Sequence, residues 1–200
     1  NNAPSIPLLD LPVNNTNTSD NTPLLSWFNS TDADGATAIT YGLGVFNNSL
    51  MTELAFMNIS ILEGVNRTNV TLPALFDGDY FWKVNATDGT AWSNHSLNRT
   101  FTIDATFPKI FIIQPQNTTY TTNNLSLNFT IKDTNANLTF YNLNNTENIT
   151  ITGNTTFIAN IGSGNTIFLY HRDIAGNLNV SNVTFHVLSP VLDIVLNGPA

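Results

Sequence analysis

The sequence predicts an all-β protein: two tandem β-sandwiches followed by one further strand. Three observations lead there. Thr, Val, Ile, Phe and Asn abound while helix formers are scarce. Turn residues interrupt short alternating polar and apolar runs roughly every eight to twelve residues. Finally, three segments repeat one plan: "PSIPLLDLPVNN" at Pro4 to Asn15, "FPKIFIIQPQNT" at Phe107 to Thr118, and "SPVLDIVLNGPA" at Ser189 to Ala200. Each sets an apolar strand ahead of a proline that enters a loop, so Pro12, Pro115 and Pro199 are equivalent. Their spacings, 103 and 84 residues, suit sandwich domains. The expected boundaries are 1–105, 106–188, and a linker with an orphan strand at 189–200.

In the first unit the strand-bearing segments are "LLSWF", "ITYGLGVF", "VTLPALFDGDYFWKVNATD" and "NRTFTID". The stretch from Asn47 to Asn66 is long enough for "LAFMNISIL" to be an additional strand. Within "VTLPALFDGDYFWKVNATD", Tyr80, Trp82, Val84 and Ala86 share the inward face of a strand, leaving Phe81, Lys83 and Asn85 outside. In the second unit "NNLSLNFTI" alternates cleanly, with Leu125, Leu127, Phe129 and Ile131 inward and Asn124, Ser126, Asn128 and Thr130 outward. "IGSGN", Ile161 to Asn165, is expected to be a hairpin loop, and Phe81, Tyr120 and Tyr141 are expected to face outward.

These strands carry two family resemblances. Trp27, and the Leu75, Gly78, Tyr80 pattern entering the sixth strand, resemble fibronectin type III domains. There the tryptophan is a core residue and the tyrosine forms a tyrosine corner. "LSLNFTIKD", "TIFLYHRDIAGN" and "NVTFHV" resemble bacterial or archaeal immunoglobulin-like modules, in which Asp173 to Asn177 would be the turn joining the last two strands. Together the resemblances cover nearly the whole chain. They imply two immunoglobulin-like or fibronectin III-like β-sandwiches and say little of function.

The outer faces of the strands avoid charge. Charged residues are 10 % of the chain, against about 25 % in ordinary globular proteins. The formal net charge is -8 and only six residues are Lys or Arg. No basic patch exists to neutralise phosphates, so nucleic acid is not an expected partner. No window is apolar enough to cross a membrane as a helix, and an anionic lipid surface is not an expected partner. With no Cys, disulfides, thiolate metal sites and thiol nucleophiles are excluded.

Asn, Ser and Thr take the places that charges leave. Asn-x-Ser/Thr, the N-glycosylation acceptor, occurs nineteen times: Asn14, Asn17, Asn29, Asn47, Asn58, Asn66, Asn69, Asn85, Asn94, Asn98, Asn117, Asn124, Asn128, Asn137, Asn144, Asn148, Asn154, Asn179 and Asn182. Composition alone would give about six. Strand alternation would enrich both directions equally, yet the reversed triplet, Ser/Thr-x-Asn, occurs only eight times. Drift in an AT-rich genome would raise Lys along with Asn, and there are only three lysines. An N-to-C asymmetry points to a reader of the chain, and covalent N-linked glycans are the expected modification. In "NVT", "NFT", "NLT" and "NIT" the middle residue would point inward, making Val70, Phe129, Leu138, Ile149 and Val183 core positions beneath glycan-bearing asparagines.

Chemistry is sparse elsewhere. His95, His171 and His186 stand in separate contexts without metal-ligand spacing and are expected at the surface. The "DADG" turn, Asp32 to Gly35, places Asp32 and Asp34 as at the start of a calcium loop but lacks its later ligands. Asp77 and Asp79 could join that end, and Asp104 at the domain junction could contribute to a second calcium site in the linker. Turn chemistry accounts for Asp32, Asp34, Asp77 and Asp79, and for Asp88 and Asp173, without a metal. Trp92 either covers a sandwich end or stacks on a sugar. No paired carboxylates flank a cleft as a glycosidase requires.

The expected function is therefore a non-enzymatic, extracellular structural or adhesive glycoprotein, the subunit of a surface filament, sheath or stalk. Its expected partners are copies of itself, by head-to-tail or strand-donating assembly, or other surface proteins and glycans. The orphan "VLDIVL" would begin a third domain or pair with the next subunit. Dense plain sequons without cysteine point to an archaeon. The alternative is a spacer or glycan-binding accessory module of a larger secreted enzyme.

Overall fold

The computed structural model describes residues 1–35 and 38–189. The chain divides into two compact units, Asn1–Thr106 and Phe107–Ala200. Among the described residues every regular element is a strand.

The first unit is built from β1 (Leu8–Leu11), β2 (Thr16–Thr18), β3 (Leu24–Phe28), β4 (Thr40–Phe46), β5 (Leu54–Leu62), β6 (Arg67–Thr71), β7 (Gly78–Thr87) and β8 (Arg99–Ile103). They form a three-stranded sheet in the order β1-β3-β6 and a five-stranded sheet in the order β2-β8-β7-β4-β5. The second unit follows with β9 (Lys109–Gln114), β10 (Thr119–Tyr120), β11 (Asn124–Lys132), β12 (Ala136–Leu143), β13 (Ile149–Ile151), β14 (Thr155–Ile158), β15 (Ser163–Asp173) and β16 (Leu178–Val187). Its sheets run β14-β11-β9 and β10-β16-β15-β12-β13. Adding eight to each label of the first unit gives the second, so the two units share one topology.

The proline plan in the sequence explains how each unit opens. β1 pairs with β3 in the smaller sheet; the chain then passes the cis Leu11-Pro12 bond, and β2 joins β8, in parallel, in the larger sheet. β9 and β10 repeat this on either side of the cis Gln114-Pro115 bond. Proline cannot donate to a ladder, and both lie where an edge strand leaves one sheet for the other. Pro199 and the segment "VLDIVL" lie outside the described residues.

Alternation sets the cores. In the first unit Leu25, Trp27, Tyr41, Leu43, Val45, Tyr80, Trp82, Val84, Ala86, Phe101 and Ile103 are all buried. The Trp27 ring meets Tyr41 edge-on at 5.5 Å between centroids, and Tyr80 stacks on Phe101 at 5.4 Å. Phe81, Lys83 and Asn85 lie half-buried on the other face of β7. In the second unit Leu125 and Leu127 pack with Tyr141, Phe157, Ile167, Leu169 and Phe185. Each such side chain removed from water contributes about 1.5–3 kcal/mol.

Five expectations fail, each for a tertiary reason. Tyr141 is buried, and Tyr120 packs edge-on against Phe185 at 5.9 Å, its hydroxyl bridging Gln114 and the Gln116 amide; both belong to the core. Ile149 is 50 % exposed because β13 is a three-residue edge strand. "IGSGN" carries the chain from β14 in one sheet to β15 in the other, turning at Gly162 with φ +71°, so it is a crossover. His171 is buried: its Nε2 stands 3.1 Å from an Asp133 carboxylate oxygen and its Nδ1 2.8 Å from the Thr139 hydroxyl.

Candidate glycan-bearing surface

The folded chain sorts its asparagines by sequence context. Of those in Asn-x-Ser/Thr triplets none is buried: Asn29, Asn85, Asn128, Asn144 and Asn179 are half-buried and the other fourteen are exposed. Among the described residues the buried asparagines are Asn142, Asn165 and Asn177, and all stand outside the triplet. These three serve the interior. Asn165 accepts the Asn160 amide at 2.9 Å and donates to the Asn160 carbonyl at 2.8 Å, tying the crossover to the start of β15. Asn177 donates its amide and carboxamide to Asp173 at 2.8 and 2.6 Å, closing the turn between β15 and β16 around Gly176.

The triplet asparagines differ in what their carboxamides do. Asn29 donates to the Gly64 carbonyl at 2.7 Å and accepts from the Thr68 hydroxyl at 3.1 Å. Asn144 donates to Asn165 at 3.1 Å and accepts the Thr166 amide at 2.7 Å. Asn179 donates to the Pro108 carbonyl at 2.8 Å. These nitrogens are committed within the protein. Among the described residues Asn58 and Asn154 only accept, from the Ser60 and Phe129 amides. Beneath Asn69, Asn128 and Asn182, the middle residues Val70, Phe129 and Val183 pack on the cores as the alternation requires.

Asp32, Asp34, Asp77 and Asp79 make hydrogen bonds in or beside turns. Asp32 accepts the Asp34 amide at 2.7 Å, while Asp34 accepts from Asn2. Asp77 receives the Ala105 amide at 2.8 Å and the Thr106 hydroxyl at 2.5 Å, and Asp79 receives the Thr102 hydroxyl at 2.6 Å. Asp104 is buried at the end of β8, its amide bonded to the Thr18 carbonyl. Asp32, Asp34, Asp77 and Asp79 belong to no cluster of three or more acids or histidines among the described residues.

Hydrogen bonding also tunes these groups. The Ala91 amide, the Asn1 carboxamide and the Thr90 amide hold the Asp88 carboxyl down to about 2, as a turn acid. The Thr106 hydroxyl and the Ala105 amide lower Asp77. Desolvation, aided by the nearby Lys83 charge, lowers His95, so its imidazole is neutral at pH 7.

Fold and surface together define a class: paired immunoglobulin-like, fibronectin III-like β-sandwiches whose outer faces are dense in glycosylation acceptors. No family model and no curated protein sequence matches the chain. Similar solved structures include the fibronectin(III)-like modules of Clostridium thermocellum CbhA, with 13 % identity and TM-score 0.46 over 92 % of this chain and 94 % of that one. The FN1-FN3 domains of chicken CNTN1 are similar at 10 % identity and TM-score 0.44, over 91 % of this chain and 67 % of that one. IG1+IG2 of DIP-gamma gives 10 % and 0.39, over 93 % and 99 %.

Proposed function

We propose that the chain is a non-enzymatic, extracellular structural or adhesive glycoprotein that builds a surface filament, sheath or stalk under a coat of N-linked glycans. The observation that carries this reading is the sorting of asparagines: all nineteen in acceptor triplets reach the surface, and all three buried ones lie outside triplets. An asparagine kept for sugar must be reachable, and one kept for the core need not be followed by Ser or Thr. Sugars then supply the hydration that a 10 % charged surface lacks. The inward strand faces hold aromatic and aliphatic residues, which supports a structural role.

Intact-mass measurement of protein from its natural host tests the reading. The 200-residue polypeptide weighs 21.9 kDa, and an excess of many kilodaltons over the peptide mass is expected. A natural protein at its bare peptide mass refutes the proposal. Electron microscopy of the same sample separates filaments from free stalks.

A further inference from the structure

The outer face of the larger sheet in the first unit holds a groove of about 300 Å³, near the lower end of the size range of small-molecule sites. Its floor is unusual for a strand. Tyr41, Leu43 and Val45 of β4 point into the core, and the alternate outward positions are Gly42 and Gly44. Glycine inside a strand weakens it and marks a place where something approaches the backbone closely. A Cβ on Gly42 would lie 2.5 Å from the Asn85 Oδ1 and 3.2 Å from the Trp92 ring; one on Gly44 would lie 2.9 Å from the Phe46 ring. The two glycines thus let two aromatic rings and one carboxamide settle onto the sheet.

The groove is apolar on its sides and polar at its rim. Trp92 is 47 % exposed, and Met57 and Ile59 of β5 are more exposed still. Lys83 and His95 supply the rim, with the Lys83 ammonium 5.6 Å from the Phe46 centroid. A pyranose has matching parts: a face of C–H groups for an indole, and hydroxyls for an ammonium and a neutral imidazole. Within this groove stands one acceptor asparagine, Asn85 of Asn85-Ala86-Thr87, which pairs across the strands with Gly42. Among the described residues its carboxamide nitrogen donates to no acceptor, unlike those of Asn29, Asn144 and Asn179.

We infer that the saccharide linked to Asn85 folds back into this groove, its first rings covering Trp92 and bonding Lys83 and His95, so that one glycan is part of the packed structure. The inference rests on the glycosylated reading above. Trp92 makes it measurable, because Trp27 and Trp82, the other two tryptophans, are 0 % exposed. Iodide quenching at fixed ionic strength therefore reports on Trp92.

The experiment compares natural protein with Asn85→Gln made in the same host, after glycopeptide mass spectrometry of both. Asn85 loaded in the natural protein, with a Stern–Volmer constant that rises several-fold in the variant, is the expected result. If N85Q perturbs the emission of the buried tryptophans, Asn85→Asp replaces it. Thr87→Ala is unsuitable, since the Thr87 hydroxyl holds the Ala91 carbonyl and the Gly89 amide. A loaded Asn85 with equal quenching in both proteins overturns the inference and leaves the glycan coat standing, as does a bare Asn85 among loaded sequons. Absence of sugar at every sequon overturns both.

Discussion

Replacing Tyr41 or Tyr80 by Phe removes the same atom from the same core, with unequal effects expected. The Tyr80 hydroxyl donates to the Phe76 carbonyl at 2.9 Å, closing the tyrosine corner. Phe76 is 90 % exposed, so water replaces the lost partner and the change costs about 1 kcal/mol. The Tyr41 hydroxyl donates to Glu63 at 2.9 Å and accepts the Ser30 amide at 2.7 Å. Ser30 is buried, so Tyr41→Phe leaves its N–H without water or partner. An orphaned donor plus a lost bond to a charged group costs about 2–3 kcal/mol.

Trp27, Trp82 and Trp92 all lie in the first unit, so tryptophan emission follows its unfolding alone. A unit of this length has an unfolding entropy of about 0.2 kcal/mol/K, so 1 kcal/mol moves the midpoint by about 5 °C. Tyr80→Phe should lower the melting temperature by about 5 °C and Tyr41→Phe by about 10–15 °C. Equal losses, or a larger loss at Tyr80, would refute the assignment of the Ser30 amide to the phenol.

Asp88 titrates at about 2 folded against 3.8 ordinarily, so its stabilising contribution is present above pH 4 and is lost as pH falls from about 4 to 2. Chemical unfolding of Asp88→Asn across pH 5 to 2 should lack that part of the acid destabilisation. Gly64→Ala would set a Cβ 2.2 Å from the Arg67 backbone oxygen and should cost about 1–3 kcal/mol, whereas at Gly42 the nearest atom is the end of the Asn85 side chain and the loss should be smaller; the tryptophan melts decide. Site-by-site glycopeptide occupancy should be lowest at Asn29, Asn144 and Asn179, and high values there would contradict their inward hydrogen bonds. If the sequons carry sugar as proposed, chain made without N-glycosylation should form amorphous aggregates, seen by light scattering, at concentrations where the glycosylated chain forms none.

The larger pattern of this fold was legible because its signals are local. Alternation placed Tyr80, Trp82, Val84 and Ala86 inside, the long Asn47–Asn66 stretch revealed β5, and Asp173 to Asn177 announced its turn. What stayed hidden depends on partners far along the chain. Nothing near His171 signals Asp133, 38 residues away. Tyr141 faces inward only because β12 pairs between β15 and β13. The groove needed Gly42, Asn85 and Trp92 together, and only cross-strand register joins them. Sequons show which asparagines a transferase could read; the fold shows which nitrogens are already engaged.

Among the described residues the two open sandwiches leave eight edge strands, each a row of unpaired backbone groups that could template association. Natural sheets blunt such edges with lysine, but the only lysine on an edge here is Lys109 at the start of β9. Acceptor asparagines stand there instead. Asn17, Asn58 and Asn69 lie within β2, β5 and β6, while Asn148 and Asn154 immediately precede β13 and β14. Asn14 follows β1 by three residues, and Asn117 sits between β9 and β10. A glycan linked at these positions, as proposed, would be bulky and hydrated and would occupy the approach that a neighbouring strand needs. It does so without charge, so it keeps its effect at salt concentrations that screen a lysine. This makes shielding of the edges a direct physical use for sequons so numerous, and it predicts that loss of sugar at the edge sites matters more for dispersal than loss on central strands.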